Sequence, residues 1–151
     1  PVTEMITGID LVKAQIQVAA HEPLAFKQED IEFKGHAFEF RINAENPYKN
    51  FMPSAGKITE FLQPGGFGVR MDTASYQGYT IPPFYDSMIA KLIVHGSDRD
   101  DALKTARRAL SEFYIGGIDT TIPFHQRLLE NKAFINNDYN TNFLAEEDIM
   151  K

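Results

Sequence analysis

Between Gly35 and Glu45 the chain alternates strictly between apolar and polar side chains. Phe38, Phe40, Ile42 and Ala44 fall on one face of an extended strand, and Glu39, Arg41, Asn43 and Glu45 fall on the other. The pattern predicts a strand that is buried on its first face and stops before Pro47. Upstream, Thr7 followed three residues later by Asp10 resembles a capping box and predicts a helix to about Ala20. Ile9, Val12, Ile16 and Ala19 recur along it at helical spacing, and Pro23 lies beyond its end. The polar stretch from Glu22 to Lys34 reads as a connector with a short strand near Asp30 to Phe33.

Downstream, Pro47 to Gly56 is rich in proline and asparagine and reads as a loop. Lys57 to Leu62 alternates again, Pro64-Gly65-Gly66 makes a turn, and Val69 to Ser75 forms a return strand, which together predict a hairpin. A turn at Gln77-Gly78 leads into Thr80-Ile81-Pro82-Pro83, an edge or an extended crossing because proline lacks a donor. Asp86 to His95 contains Met88, Ile89, Leu92, Ile93 and Val94 and predicts a strand buried over much of its surface, ending at Gly96. After an acidic start from Ser97 to Asp101, Ala102, Leu103, Ala106, Ala109, Leu110 and Phe113 mark a strongly amphipathic helix ended by Gly116-Gly117. Shorter helices are predicted over 123–131 and 142–150. The expected class is α+β, a central antiparallel sheet with flanking helices.

At 151 residues the chain is about one domain long. A net charge of −6 argues against nucleic acid or an anionic membrane as the main partner. With no cysteine, disulfides, thiol catalysis and thiolate metal sites are excluded, which is compatible with a cytoplasmic location. No apolar run is long enough for a membrane span, and no basic-then-apolar leader is present. A start at Pro1 without an initiator Met suggests a piece of something longer. Lys104, Arg107 and Arg108 read as the solvated face of their helix.

The candidate chemistry lies on the polar face of the first strand. An Arg flanked by two carboxylates suggests a guanidinium held to meet an anion, although a structural ion pair between Arg41 and Glu39 or Glu45 would give the same row. Gly65-Gly66-Phe67-Gly68 is glycine-rich, but no Lys-Ser/Thr follows it, so a turn fits better than a phosphate cradle. His21, His36, His95 and His125 sit in different elements without ligand spacing.

Several phrases, in order, together resemble one family. They are Pro1-Val2-Thr3-Glu4-Met5-Ile6-Thr7-Gly8-Ile9-Asp10-Leu11-Val12, Gly35-His36-Ala37 with Arg41-Ile42-Asn43-Ala44-Glu45, Pro53-Ser54 with Gly56-Lys57-Ile58, Pro64 to Arg70, and Tyr85-Asp86-Ser87-Met88 with Lys91-Leu92. They are similar to the C-terminal part of biotin carboxylase, an ATP-grasp enzyme, over essentially the whole chain and most weakly after Ile135. The wording from Asp10 to Ala20 looks most like the biotin carboxylase subunit of bacterial acetyl-CoA carboxylase.

The resemblance implies one region over 1–151, in which 1–22 is a helix joining a preceding ATP-grasp part and 35–145 is the C-terminal domain proper. It implies MgATP-dependent activation of bicarbonate (manganese being an alternative metal) and carboxylation of biotin. The implied partners are a biotin carboxyl carrier protein, carboxyltransferase subunits and a second copy of the enzyme. The family's nucleotide, metal and bicarbonate segments lie upstream of these phrases, so the chain alone is expected to bind none of these cofactors and to be inactive. Arg41 matches the family's active-site arginine, with Glu39, Asn43 and Glu45 as its expected orienters. Phe67, Arg70 and Asp86 match positions at the subunit interface. The competing expectations are a non-catalytic dimerisation or carrier-docking module, and a segment of another biotin-dependent carboxylase such as pyruvate carboxylase. Another kind of ATP-grasp ligase, acting on a purine precursor or carbamoyl phosphate, is disfavoured by the Arg41-to-Glu45 phrase and the Pro-Gly-Gly-Phe-Gly turn.

Overall fold

The computed structural model describes residues 1–147, 149 and 150. The expected α+β class holds. Three antiparallel strands form the main sheet in the order β1 (His36–Asn43), β8 (Met88–Gly96), β6 (Val69–Thr73). Its register pairs Phe38 with Val94, Phe40 with Leu92 and Ile42 with Ala90, while β6 sets Val69 beside Val94 and Met71 beside Leu92. One face of the sheet is therefore apolar across all three strands.

Helix α3 (Arg99–Glu112) packs on that face. Asp98 caps it by accepting from the Asp101 N–H at 2.9 Å, and its stripe of Ala102, Leu103, Ala106, Ala109 and Leu110 is buried as the periodicity predicts. The helix ends earlier than Gly116-Gly117 would have it. Phe113 turns to extended backbone and sets its ring edge-on to Phe61 at 6.0 Å, and Tyr114–Gly116 becomes strand β9.

The predicted strand over 57–62 is two short strands, β4 (Gly56–Lys57) and β5 (Glu60–Leu62), and no hairpin joins it to β6. β5 pairs with β9, and β4 pairs with β7 (Thr80–Ile81), while β6 pairs with β8. Gly68 directs this choice. At φ 74° a Cβ there would lie 2.5 Å from the His95 carbonyl, and the His95 N–H donates to the Gly68 carbonyl at 2.8 Å. The turn is thus pressed against the end of β8 instead of folding back on β5.

The N-terminal helix is broken. α1 (Val2–Thr7) ends at Gly8 in the left-handed region (φ 72°), and α2 (Leu11–Ala19) starts afresh under Asp10, whose carboxylate accepts from the Lys13 N–H at 2.8 Å. Asp10 is thus the cap, not the far member of a capping box. Of α2 only Ala14 is buried; Leu11, Val12, Ile16 and Val18 are exposed. No strand forms over Asp30 to Phe33; after a 3-10 turn at Gln28–Asp30, where Asp30 accepts from the Lys27 N–H, the chain continues without regular structure.

The Pro47–Gly56 loop contains a 3-10 turn (Pro47–Lys49) and a short strand, β3 (Met52–Pro53), that pairs back with β2 (Glu45–Asn46) just before the loop. The 123–131 helix is α4 (Ile122–Leu128), followed by α5 (Lys132–Ile135). Within the 142–150 prediction, α6 covers Phe143–Glu146; residue 148 lies outside the described residues. Arg107 and Arg108 do more than face solvent, since they donate to the Leu129 and Gly65 carbonyls.

Candidate functional site

On the second face of the sheet, two rows run across the strands. Glu39, Ile93 and Arg70 form one, and Arg41, Lys91 and Asp72 form the next. Helix α1 lies over the first row. There the Pro1 amine meets the Glu39 carboxylate, Glu4 Oε2 accepts from Arg70 Nη1 at 2.8 Å, and Ile93 is fully buried. The second row stays open.

Arg70 also donates from Nε and Nη2 to the two oxygens of Asp72, at 2.8 and 2.9 Å, a bidentate pair. These carboxylates, Asp72 first and then Glu4, raise the Arg70 guanidinium further above its ordinary value. The Arg70 hydrogen bond, and next the Leu11 N–H, hold the Glu4 carboxyl below the ordinary carboxylate range. Arg70 thus ties α1 to β6 within the chain. Phe67 stands fully exposed at the turn before β6, at the opposite end of the sheet from Asn43 and Met88.

Arg41 is exposed, and among the described residues its guanidinium makes no hydrogen bond or ion pair. The expected orienters are engaged elsewhere. Glu39 is held by the Pro1 amine, and Asn43 Nδ2 donates to Glu45 Oε1 at 3.1 Å, an oxygen that also accepts from the Ser87 hydroxyl. Among the described residues, neither direct bracing of Arg41 by Glu39, Asn43 or Glu45 nor the alternative ion pair with Glu39 or Glu45 is formed.

Directly across from Arg41 sits Lys91, a second cation that the periodicity did not single out. Like charges at facing positions destabilise a strand pair, and the carboxylate in the same row, Asp72 across from Lys91 on its other side, is taken up by Arg70. The signal was present in sequence only as the Lys91-Leu92 phrase, because its partner depends on register. Asp86 lies just before β8, exposed, with its Oδ1 accepting from the Met88 N–H at 2.8 Å. A groove of about 440 Å³ runs from Asp72 and Ser75 past Tyr85 and Asp86 to Lys91. Among the described residues no three His, Cys, Asp or Glu side chains converge to hold a metal. No helix there is long and apolar enough to cross a membrane.

Behind Arg41, the start of α4 meets the outer edge of β1. The Arg41 carbonyl accepts from Thr121 Oγ1 at 3.1 Å and lies 2.9 Å from His125 Nε2. Burial holds the His125 imidazole below its ordinary value, the hydrogen bond to that carbonyl opposing this only in part.

The model of the biotin carboxylase C-terminal domain matches residues 39–146. The chain is 61% identical to Biotin carboxylase 1 of Bacillus subtilis (strain 168), over 99% of its own length and 33% of the relative's. It is 56% identical to a pyruvate carboxylase subunit of Methanothermobacter thermautotrophicus, over 97% of its length and 30% of that protein's. A solved dimer of the biotin carboxylase domain of Hydrogenobacter thermophilus 2-oxoglutarate carboxylase, in complex with MgADP, ADP and bicarbonate, superposes with a TM-score of 0.94. That similarity is at 49% identity and covers 97% of this chain and 32% of the other. The chain therefore spans about a third of the length of the relatives it matches. With the domain model matching residues 39–146 and the similarity to these relatives running over nearly the whole chain, the chain belongs to the biotin carboxylase family and carries its C-terminal domain.

Proposed function

We propose that this chain supplies one wall of an ATP- and bicarbonate-dependent biotin carboxylase, with Arg41 as the residue that meets the reacting anion. The observation that carries this reading is the state of Arg41. It is an exposed guanidinium with no partner among the described residues, opposite Lys91, on a strand whose other face is locked into the core. A planar, permanently charged fork suits a bicarbonate oxygen pair, and it equally suits negative charge growing on a ureido oxygen. ATP supplies the driving force for activating bicarbonate. It and its magnesium or manganese are held by residues outside this chain, so the chain alone turns over no ATP.

The exposed stripe of Leu11, Val12, Ile16 and Val18 supports a larger enzyme, since an apolar helix face of this kind marks a contact surface. We read 1–22 as the joint to the ATP-grasp part, 35–145 as the domain proper, and Glu39, Asn43 and Glu45 as a frame that keeps the neighbourhood of Arg41 in place. Phe67 and Asp86 face a second copy of the enzyme, and Arg70 shapes that surface from behind. The carboxylated biotin rides on a carrier protein and is consumed by carboxyltransferase subunits in the cytoplasm. Acetyl-CoA is the acceptor favoured by the α2 wording. A 2-oxo acid acceptor is the second reading, favoured by relatives named for pyruvate and 2-oxoglutarate carboxylation.

In a full-length enzyme containing this sequence, Arg41→Lys keeps the charge and loses the fork. Single-turnover carboxylation of biotin is expected to fall about a hundredfold, the loss of one preorganised donor, with ATP affinity unchanged. Normal carboxylation by this variant would end the assignment.

A further inference from the structure

We infer that Thr121 and His125 are positioning residues for Arg41, acting on its main chain. The inference rests on the reading of Arg41 given above. A side chain whose head is held by nothing among the described residues is aimed through its backbone. The backbone at Arg41 is held with unusual care. On the outer edge of β1, away from β8, the Arg41 carbonyl takes two side-chain donors, Thr121 Oγ1 at 3.1 Å and His125 Nε2 at 2.9 Å. A carbonyl oxygen has two lone pairs, and both are used. Because that oxygen can only accept, the proton of the neutral imidazole sits on Nε2.

Thr121 does more. Its hydroxyl accepts from the Asn43 N–H at 3.0 Å while donating to Arg41, and its own N–H donates to the Asn43 carbonyl at 3.1 Å. Residues 41 to 43 are thereby stitched to the first turn of α4.

Two further observations set this apart from ordinary edge protection. The stitching falls where the β1–β8 register shifts, between Ile42 and Asn43, with Ile89 as the extra residue on β8. Such a bulge bends the strand that carries it, here β8, and interrupts the ladder next to Arg41, so the anchor on α4 is what holds residues 41 to 43 of β1 on their other edge. Secondly, the His125 ring is wedged edge-on against Phe40 at 5.4 Å and Phe124 at 5.3 Å, with its Nδ1 buried and, among the described residues, without a partner. A buried nitrogen left unsatisfied has a free-energy cost that water at an open strand edge would avoid. Placing an imidazole there makes sense if the position of the carbonyl matters.

The test uses a full-length biotin carboxylase containing this sequence. Thr121→Val and His125→Phe each remove the donor to the Arg41 carbonyl at nearly constant shape, Thr121→Val also taking away the acceptor of the Asn43 N–H; Thr121→Ser and His125→Gln keep these groups. Expected are a kcat for biotin carboxylation about tenfold lower in the first pair, with KM for ATP little changed and a lower melting temperature in Thr121→Val, which leaves the Asn43 N–H unpaired, and recovery of kcat to within about twofold in the second. In an Arg41→Ala background, Thr121→Val and His125→Phe are expected to cause no further loss. A loss that persists undiminished in that background overturns the inference, because it does not pass through Arg41. So does full activity of Thr121→Val and His125→Phe where Arg41→Ala is crippled, and this outcome leaves the role of Arg41 standing. Full activity of Arg41→Ala overturns that role and the inference together. Should Thr121→Val fail to accumulate, the His125 pair decides alone.

Discussion

The two faces of the three-stranded sheet are built on opposite terms. Phe40, Ile42, Leu92, Val94 and Met71 look toward α3, and the first four are almost wholly excluded from solvent. The other face carries Glu39, Arg41, Lys91, Arg70 and Asp72, with Ile93 alone fully buried, under α1. Stability and candidate chemistry therefore occupy opposite sides of the same strands, separated by the alternation of the pleat. A residue can be altered on one side with little consequence for the other.

The largest effect that would sharpen this contrast is on the apolar side. Leu92→Ala opens a cavity at the centre of the sheet and is expected to lower the unfolding free energy by about 2–5 kcal/mol in urea titration. A cost as small as that of an exposed substitution would show that the α3 face is not the principal core.

A smaller effect comes from the edge of the core. Burial, with a lesser contribution from Arg99, holds the His36 imidazole below its ordinary value of 6.5, and burial does the same to His125. Both groups are neutral in the folded chain, so the unfolded chain binds protons first as pH falls. Their stabilisation is complete above about pH 6.5 and is lost as the pH drops from there through their folded-state values. Over that window stability falls with pH as each imidazole takes up a proton on unfolding, more for the buried His125 than for the more exposed His36. His125→Gln should flatten this fall, and an unchanged slope would mean that other groups set the acid response. Glu4 acts in the same direction but lower, in the carboxylate range, because Arg70 keeps it ionised.

The smallest expected effect is at the turn. Phe67 is fully exposed, so Phe67→Ala should change unfolding by less than about 0.5 kcal/mol while weakening self-association of a full-length enzyme in sedimentation velocity. A large stability loss would place Phe67 within the fold's own support.

Elements with a strong internal period were legible in the sequence. α3 buries the stripe its spacing assigns, and β1 and β8 bury most of theirs, Phe38 and Met88 at their ends being only partly covered. What stayed hidden was partnership. A strand's alternation says which face is buried but not which neighbour it pairs with, so alternation and a turn suggest β6 for β5 when its partner is β9. The break at Gly8 is hidden for a different reason: Thr7 and Asp10 both suit a cap, and only the backbone angle of the glycine between them separates the two. Of the site, Arg41 could be picked out because its whole signal is local. Thr121 and His125 could not, since they meet Arg41 from 80 and 84 residues away and neither stands out within its own helix. Lys91 needed the register before its position opposite Arg41 meant anything.

The strand order also says something about time. Both β1 and β6 hydrogen-bond only to β8 within the main sheet, and β8 is the last of the three to be synthesised. Among the described residues no local hairpin exists to start the sheet. As the chain emerges, Phe38, Phe40 and Ile42 must wait unpaired through the whole stretch up to Met88 before their ladder can close. Loop-closure entropy then has to be overcome before any sheet contact gives a return, the condition under which folding is slow and transiently exposed apolar strands invite association. A newly made chain thus spends its most vulnerable interval with the apolar face of β1 complete and its central, most apolar strand still missing.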